Sequence, residues 1–239
     1  MGFVEELYGL EGKVAVVIGG GGVLAGKMAE GLAKAGANIA ILDIDLENAE
    51  AKAQEVRDIG RKALAIKVDA ADKANLLEAD REVWEAFGRV DILINAPGVN
   101  SATPFFELSE EEWDRIMGVN LKSMMLACQV FGKRMVDARS GSIINISSVS
   151  SGPPLSRVFT YSISKAGVNN LTQFLAREFA PYNVRVNAIA PGFFPAGQNR
   201  RILTEDRVAA IMSHTPMRRF GEPEELIGAV IWLASEKAS

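Results

Sequence analysis

Short apolar runs recur along the chain, and longer amphipathic stretches separate them. The runs are rich in valine and isoleucine and are apolar at nearly every position instead of alternating. Continuous apolarity of this kind is typical of strands that are buried on both faces of a parallel sheet. We predict six strands, over residues 13–19, 38–43, 62–68, 90–95, 141–147 and 184–190.

The stretches between these runs have the spacing of amphipathic helices. Residues 25–36 and 46–60 each end in a glycine, which often terminates a helix. Ser109 and Glu112 have the spacing of a capping box and predict the start of a further helix. Because strand and helix alternate six times, we predict an α/β fold, a doubly wound parallel sheet with helices on both faces.

We find no internal repeat, low-complexity tract or linker, and we predict a single domain over residues 1–239. The least regular stretch is PGFFPAGQNRR (191–201), which follows the last predicted strand and is rich in proline and glycine. Irregular segments beside a rigid sheet often carry function, so we predict a substrate lid over residues 191–213.

Composition narrows the possible functions. The net charge of -4 argues against a general nucleic-acid-binding surface. Cys128 is the only cysteine and His214 the only histidine, so we predict no internal disulfide and no metal site. The N-terminus lacks the order of a signal peptide, and no apolar run approaches the roughly 18 residues that span a bilayer. We expect a cytoplasmic protein that does not associate with membranes.

The glycine-rich segment IGGGGVLAG (18–26) follows the first predicted strand and opens the first predicted helix. Backbone N–H groups at a helix N-terminus attract phosphate, and glycines let a phosphate approach closely. The segment therefore predicts a nucleotide-binding loop. The alternative is a turn that only connects two elements.

Asp43 ends the second predicted strand, where an acid can bond both ribose hydroxyls of a dinucleotide. Such an acid would repel a 2′-phosphate, and the neighbouring Gly22 and Ile44 carry no charge to offset the repulsion. We therefore predict NAD as the cofactor, with NADP disfavoured. The alternative is that Asp43 only ends the strand and starts a turn.

Tyr161 and Lys165 lie four residues apart in YSISK, so they share one face of a helix. A tyrosine has a pKa near 10 and is a poor base at neutral pH, but a nearby ammonium favours the phenolate and lowers that pKa. Such a pair can move protons to and from an alcohol. Alone, this spacing also occurs by accident on surfaces.

Together these features resemble the short-chain dehydrogenase/reductase family over nearly the whole chain. The resemblance implies a Rossmann-type fold and an NAD-dependent oxidoreductase that transfers a hydride between nicotinamide and a secondary alcohol or ketone. The motifs occur in family order: the glycine loop, Asp43, KVDA (67–70), NAPG (95–98), GVN (118–120), INISSVS (144–150), YSISK (161–165) and VNAIAPG (186–192).

The resemblance also implies a role for individual residues. Tyr161 is the expected acid/base, and Lys165 would lower its pKa and hold the nicotinamide ribose. Ser148 would bond the substrate oxygen, and Asn120 would anchor a water that joins Lys165 to solvent. The expected cofactor contacts are Gly19, Gly22, Val23, Leu24, Asp43, Ile44, Asp69, Ala70, Asn95, Ala96, Gly98, Tyr161, Lys165, Pro191, Gly192 and Phe194.

Several of these roles have alternatives. Ser147 could be the functional serine and Ser148 a helix cap, although the spacing to Tyr161 favours Ser148. Asn120 could be a polar residue inside a helix that bonds to backbone. Asn187 could have no role beyond stabilising the end of a strand.

The chain departs from the family pattern T-G-x-x-x-G-x-G at Ile18, Val23 and Ala25, and from NNAG at Ala96 and Pro97. Ile18 lacks a hydroxyl that could brace the turn, and Ala25 adds a methyl where helix and strand pack closely. We expect the loop still to bind the pyrophosphate. Any effect of Ile18 and Ala25 should be to weaken that binding.

The glycine loop and the segments PGFFPAGQNR and TPMRRFGEPEEL resemble a subgroup of D-mannonate oxidoreductases, although the loop after NAPGVN is shorter here. Gln198, Asn199 and Arg200 could bond a polyol chain or pair with a substrate carboxylate. The alternative is the solvated start of a lid helix. With Ser148, they are the predicted substrate contacts, and we expect a sugar acid, keto acid or polyol.

The family also implies a homodimer or homotetramer, formed through the helices that contain Asn120 and Tyr161. Members continue beyond LASEKAS (233–239) with a seventh strand and a tail over the substrate pocket. We expect that strand to be absent here, which would expose a sheet edge and lower stability. Two other functions stay open: a different polyol or gluconate-type dehydrogenase, and a noncatalytic nucleotide-binding protein.

Overall fold

Six parallel strands form one sheet in the order β3-β2-β1-β4-β5-β6. A computed structural model describes residues 2–153, 158–194 and 204–239. Each strand lies within one or two residues of the apolar run that predicted it. The strands are β1 (Val14–Ile18), β2 (Asn38–Asp43), β3 (Ala63–Lys67), β4 (Ile92–Asn95), β5 (Gly141–Ile146) and β6 (Val184–Ile189).

Helices connect the strands, and a π-helical turn (Gly118–Lys122) joins two of them. Gly36 and Gly60 follow the second and third helices with φ angles of +113° and +90°, the left-handed conformation that ends helices. The helices are α1 (Phe3–Tyr8), α2 (Val23–Lys34), α3 (Leu46–Asp58), α4 (Lys73–Phe87), α5 (Glu110–Met117), α6 (Ser123–Ala138), α7 (Phe159–Phe179), α8 (Glu205–His214) and α9 (Ile227–Ala234).

The strands are apolar throughout because both faces of the sheet are covered. In β1, Ala15 and Val17 pack toward α2, α3 and α9. Val14, Val16 and Ile18 pack toward α4, α6 and α7 on the opposite face. The predicted α/β fold, a doubly wound sheet with helices on both faces, is confirmed.

The strand order places a crevice above β1 and β4. The chain moves outward from β1 to β2 and β3, then crosses to β4 and moves the other way, so the connections diverge at this point. Ligands of open α/β sheets bind at such a switch point, outside the carboxyl ends of the strands. The Ala96 N–H donates to the Ile18 carbonyl (3.0 Å), which holds the segments after β1 and β4 together.

The expected capping box at the start of α5 is only half formed. The Ser109 hydroxyl accepts from the Glu112 N–H (3.2 Å), as predicted. The Glu112 carboxylate does not return to Ser109. It accepts instead from the hydroxyls of Ser101 (2.6 Å) and Thr103 (2.7 Å), because these side chains reach it from the loop after β4.

Candidate active site

The glycine loop crosses the switch point and starts α2. Gly19 has a φ of +72°, and a Cβ there would lie 3.0 Å from the Ala96 carbonyl carbon, so the position suits only glycine. Gly22 precedes α2, and no side chain caps the helix. Within the described ranges, nothing accepts from the first three N–H groups of α2. The helix start is therefore open to an anion.

Ile18 and Ala25 fit this loop without disturbing it. Both are almost fully buried and belong to the cores on opposite faces of the sheet. The Ile18 carbonyl takes part in the bond to Ala96, so backbone braces the turn where the family has a threonine hydroxyl. Their effect on cofactor affinity stays a prediction.

Asp43 lies beside the loop, at the end of β2. Its Oδ2 accepts from the Gly21 N–H (2.9 Å) and its Oδ1 from the Asp45 N–H (3.0 Å). A Cβ at Gly21 would lie 2.9 Å from Asp43 Oδ2, so a glycine is needed there. The carboxylate is thus fixed by backbone, and each oxygen keeps a lone pair for a ligand.

The ends of β2 and β3 complete this part of the crevice. Ile44 is 66% exposed although it is a large apolar residue. Asp69 and Ala70 follow β3 and line the same cleft. The Asp69 carboxylate accepts from the Ala71 N–H (2.9 Å), which fixes the turn after β3.

At the end of β4, the side chain of Asn95 points into the sheet and does not line the cleft. It is fully buried, and its Nδ2 donates to Asn145 Oδ1 (2.8 Å). The following residues Ala96 and Gly98 do line the cleft. A Cβ at Gly98 would lie 3.7 Å from Lys165 Nζ, in ordinary van der Waals contact, so Gly98 is next to that amine.

Asn120 is fully buried in the π-helical turn, a rare geometry that is frequent at functional sites. Its Oδ1 accepts from the Val99 N–H (2.8 Å), and its Nδ2 donates to the Val99 carbonyl and to Ser164 Oγ (both 3.0 Å). Ser164 Oγ donates in turn to the Tyr161 carbonyl (2.7 Å). The side chain therefore ties the segment after β4 to the helix that carries Tyr161.

The two serines after β5 point in different directions. Ser147 Oγ donates to the Lys165 carbonyl (3.3 Å) and is occupied by that helix. Ser148 Oγ accepts from the Ser150 N–H (3.2 Å) and thus caps a short 3₁₀ turn (Val149–Ser151). It also lies close enough to Tyr161 to lower the pKa of the phenol. Ser148 is therefore the cap of this turn and also the serine close to Tyr161, and its bond to the substrate oxygen stays a prediction.

Tyr161 and Lys165 extend from the first turns of α7 toward the cleft. Burial raises the pKa of Tyr161, and the Ser148 hydroxyl partly offsets this. Lys165 is almost fully buried, its Nζ donates to the Ile146 carbonyl (2.7 Å), and burial lowers its pKa to about 8. Lys165 Nζ lies 5.8 Å from the centre of the Tyr161 ring, so the two groups are neighbours in the cleft.

The segment after β6 closes the far side of the cleft. The Val149 N–H donates to the Pro191 carbonyl (3.0 Å), and the Gly221 N–H donates to the Phe193 carbonyl (3.0 Å). The ring of Phe194 packs so closely on Gly221 that a Cβ there would lie 2.4 Å from it. Through the bond between Val149 and Pro191, the segment is tied to the residue that follows Ser148.

These residues share one cleft of about 780 Å³, a size common for ligand sites. The structure brings together most of the predicted residues, while the side chains of Asn95 and Asn120 lie behind the surface. The predicted residues that line the cleft are Gly19, Gly22, Val23, Leu24, Asp43, Ile44, Asp69, Ala70, Ala96, Gly98, Ser148, Tyr161, Lys165, Pro191, Gly192 and Phe194.

Three predicted substrate contacts, Gln198, Asn199 and Arg200, lie outside the described residues, as does part of the predicted lid. Arg207 and Phe220 also line the cleft, and sequence reasoning missed them. Arg207 lies in the first turn of α8, inside the predicted lid. A basic residue within that lid was the sequence feature that could have predicted its place in the cleft. Phe220 gave none, because its approach depends on the contact of Gly221 with the segment after β6.

Two general features were also tested over residues 2–153, 158–194 and 204–239. No three His, Cys, Asp or Glu side chains in these ranges are arranged to hold a metal ion. No helix there is both long enough and apolar enough to cross a membrane.

Known proteins resemble this chain along nearly its full length. An oxidoreductase of Bacillus subtilis (strain 168), UxuB, is 39% identical over 251 aligned residues, which cover 96% of this chain and 90% of the relative. The 2-dehydro-3-deoxy-D-gluconate 5-dehydrogenase of Escherichia coli (strain K12) is 38% identical over 236 residues, with 97% and 92% covered.

A solved structure gives the same result. A Haemophilus influenza protein assigned as a D-mannonate oxidoreductase, with bound NAD, has a TM-score of 0.92 and 36% identity. The match covers 100% of this chain and 93% of that one. The family model for short chain dehydrogenases matches residues 13–207. This chain therefore belongs to the short-chain dehydrogenase family, and it is an oxidoreductase that acts on CH–OH groups.

Proposed function

We propose that this enzyme uses NAD to interconvert the secondary alcohol and the ketone of a gluconate-type sugar acid or a related polyol. One observation carries the proposal: a single cleft with two chemically different ends. We call the end with the glycine loop and Asp43 the adenosine end. We call the end with Ser148, Tyr161 and Lys165 the catalytic end.

The adenosine end fits a dinucleotide. The open start of α2 suits a pyrophosphate, because free N–H groups and the helix dipole favour an anion. Asp43 is held where it can accept from two ribose hydroxyls, and its charge opposes a 2′-phosphate. These features support NAD over NADP.

The other residues proposed to contact the dinucleotide line the cleft between the adenosine end and the catalytic end. A bound nicotinamide would supply the hydride chemistry that interconverts the carbinol and carbonyl carbons of the substrate. The residues proposed to hold the dinucleotide beyond the loop and Asp43 are Ile44, Asp69, Ala70, Ala96, Gly98, Tyr161, Lys165, Pro191, Gly192 and Phe194.

At the catalytic end, Tyr161 takes the hydroxyl proton during oxidation and returns it during reduction. Burial makes the neutral phenol a stable proton donor. A Lys165 ammonium, 5.8 Å from the centre of the ring, would favour the phenolate when the proton must be accepted. The Ser148 hydroxyl donates to the substrate oxygen and stabilises the charge that develops there. Asn120 holds α7 against the segment after β4, which fixes this arrangement.

The relatives support a gluconate-type substrate. The alignment with the Bacillus oxidoreductase runs over 251 positions, more than the 239 residues of this chain, so that relative contains inserted residues. The alignment with the 2-dehydro-3-deoxy-D-gluconate 5-dehydrogenase spans 236 positions, covers 97% of this chain and contains no insertion of that size. This chain therefore matches the gluconate-type relative in the length of the aligned region as well as in sequence.

Two measurements test the proposal. Fluorescence titration of the purified protein should give micromolar NADH binding and much weaker NADPH binding. NADH-coupled assays should then show turnover of keto sugar acids such as 2-dehydro-3-deoxy-D-gluconate, and weaker or no turnover of an apolar ketone such as cyclohexanone. Tighter binding of NADPH, or activity confined to apolar ketones, would overturn it.

The same proposal includes a homodimer or homotetramer formed through the helices next to Asn120 and Tyr161. Large apolar side chains support this, because Phe106 is 98% exposed and Phe174, on α7, is 65% exposed. Sedimentation velocity should give a dimer or tetramer mass. A monomer at micromolar concentration would contradict this part of the proposal.

A further inference from the structure

Charge is distributed unevenly along the cleft. Acidic side chains line the adenosine end, where Asp43, Asp45 and Asp69 follow β2 and β3. Among the described lining residues, only Lys165 and Arg207 are cationic. Lys165 is already bonded to the Ile146 carbonyl. The cleft therefore leaves one guanidinium for an anion that comes from solution.

Arg207 differs from the other half-buried arginines of the described chain. Arg57, Arg61 and Arg134 each pair with a carboxylate, and Arg185 donates to backbone carbonyls. The side chain of Arg207, also a half-buried residue, bonds to no residue in the described ranges, and only the backbone N–H of Arg207 donates, to Thr204 Oγ1 (3.3 Å). A guanidinium that lines a cleft without a carboxylate partner is available to an anionic ligand.

Arg207 shares the cleft with Phe220 and with the segment after β6. Thr204 caps α8 and places Arg207 in its first turn. Phe220 lines the same cleft, and the neighbouring Gly221 bonds to Phe193 in that segment. Through Pro191, the segment is bonded to Val149, next to Ser148.

We propose that Arg207 binds the carboxylate of the substrate and thereby selects sugar acids over neutral polyols. This inference rests on the proposed function, since it names the group by which that substrate is recognised. A guanidinium suits the task because its planar fork donates two parallel bonds to a carboxylate. The acidic adenosine end repels the same carboxylate, so the charges also orient the substrate.

The test compares Arg207→Gln with the wild type on two substrates, a keto sugar acid and a neutral keto sugar of the same length. We expect KM for the acid to rise about 10- to 100-fold, the loss typical of a hydrogen bond to a charged group. KM for the neutral substrate and kcat for both should change less than threefold. Arg207→Lys should recover part of the loss, because it restores the charge without the fork.

Arg218→Gln is the matched control, because Arg218 is exposed, follows α8 and does not line the cleft. It should leave both KM values unchanged. Calorimetric binding of gluconate to the NADH-loaded protein gives a readout independent of turnover, and Arg207→Gln should weaken it by a similar factor.

Two results would overturn the inference. An equal rise of KM for both substrates would show that Arg207 only shapes the cleft. A raised Kd for NADH with unchanged gluconate binding would assign it to the dinucleotide phosphates. Failure of the proposed function itself would be seen in the wild type. The wild type would then not bind NADH and gluconate, or it would turn over neither of the two substrates.

Discussion

The two ends of the cleft are built by different means. At the adenosine end, backbone groups do most of the work: the glycine loop, the open start of α2, and Asp43 held by two backbone N–H groups. At the catalytic end, polar side chains meet from the segment after β5 and from α7: Ser148 and Lys165 are buried and Tyr161 is half-buried. We therefore expect substitutions at the adenosine end to change binding, and those at the catalytic end to change rate and its pH dependence.

The largest expected effect is at the catalytic end. Tyr161→Phe removes the proton donor and keeps the ring, so kcat should fall on the order of 10²- to 10⁴-fold. The Kd for NADH should stay within about twofold, because the adenosine end supplies most dinucleotide contacts. Steady-state assays and NADH fluorescence measure the two quantities.

Tyr182→Phe is the control, since Tyr182 is 41% exposed and lies after α7. It should leave kcat unchanged. Retention of near-normal kcat in Tyr161→Phe would remove Tyr161 from the reaction and with it the proposed contrast between the two ends.

At the adenosine end, Asp43→Asn should raise the Kd for NADH about 10- to 100-fold, because bonds from ribose hydroxyls to a charged acceptor are lost. The Kd for NADPH should fall, since the repulsion of the 2′-phosphate disappears. Fluorescence titration measures both, and kcat at saturating NADH should change little. Asp58→Asn, an exposed acid at the end of α3, is the control. Parallel weakening of both dinucleotides would show that Asp43 only stiffens the loop.

The adenosine end and the pair of Tyr161 and Lys165 could be predicted from residues alone, whereas Ser148 needed the family resemblance. Gly19, Gly22 and Asp43 lie close in sequence, and the order strand, glycines, helix, strand, acid fixes their geometry. Ser148 and Tyr161 come together only after β5 and α7 pack, and their spacing alone has no physical meaning. The resemblance supplied it.

Other contacts could not be predicted because they depend on how distant segments pack. Asn95 was expected to line the cofactor, but β4 is central in the sheet and turns this side chain inward toward Asn145. Glu112 had the spacing of a capping box, but two hydroxyls from the loop after β4 compete for its carboxylate. Such a competition depends on tertiary contacts that no local pattern reports.

The pH dependence of oxidation should distinguish the catalytic end further. Oxidation needs the pair of Tyr161 and Lys165 to have lost a proton, and the pKa of Lys165 is lowered to about 8. kcat/KM for oxidation should therefore rise as pH increases through about 8. Lys165→Met removes the positive charge, which raises the pKa of Tyr161 and should move the rise upward by at least about one pH unit.

Measurement of kcat/KM from pH 6 to 10 with saturating NAD checks this shift, since a shift of one pH unit lowers kcat/KM about fivefold at pH 8 and about tenfold at pH 7. Lys133→Met, at an exposed lysine paired with Asp137 on α6, is the control and should keep the wild-type profile. An unchanged profile in Lys165→Met would mean that Lys165 does not set the pKa of Tyr161.

The smallest effect is expected at Glu112, which acts on the catalytic end only through the loop after β4. Its carboxylate accepts from Ser101 and Thr103, and the same loop contributes Val99 and Asn100 to the cleft. Glu112→Gln keeps one oxygen acceptor and loses the other. Since a hydrogen bond of about 0.5–1.5 kcal/mol corresponds to a factor of about 2 to 12, KM for the substrate should rise by no more than about tenfold, with the Kd for NADH unchanged.

The two hydroxyl bonds also lower the pKa of Glu112, so their stabilising contribution is complete above the ordinary pKa of a glutamate. It is lost as pH falls through the lowered value of the folded state, and the melting temperatures of wild type and Glu112→Gln should therefore converge in acid. Glu111→Gln, its exposed neighbour, controls for charge at the start of α5. Ser101→Ala should lower the melting temperature less in the Glu112→Gln background than in the wild type. Full additivity of the two changes would mean that the two side chains do not act together, and that the loop is held by Asn120 alone.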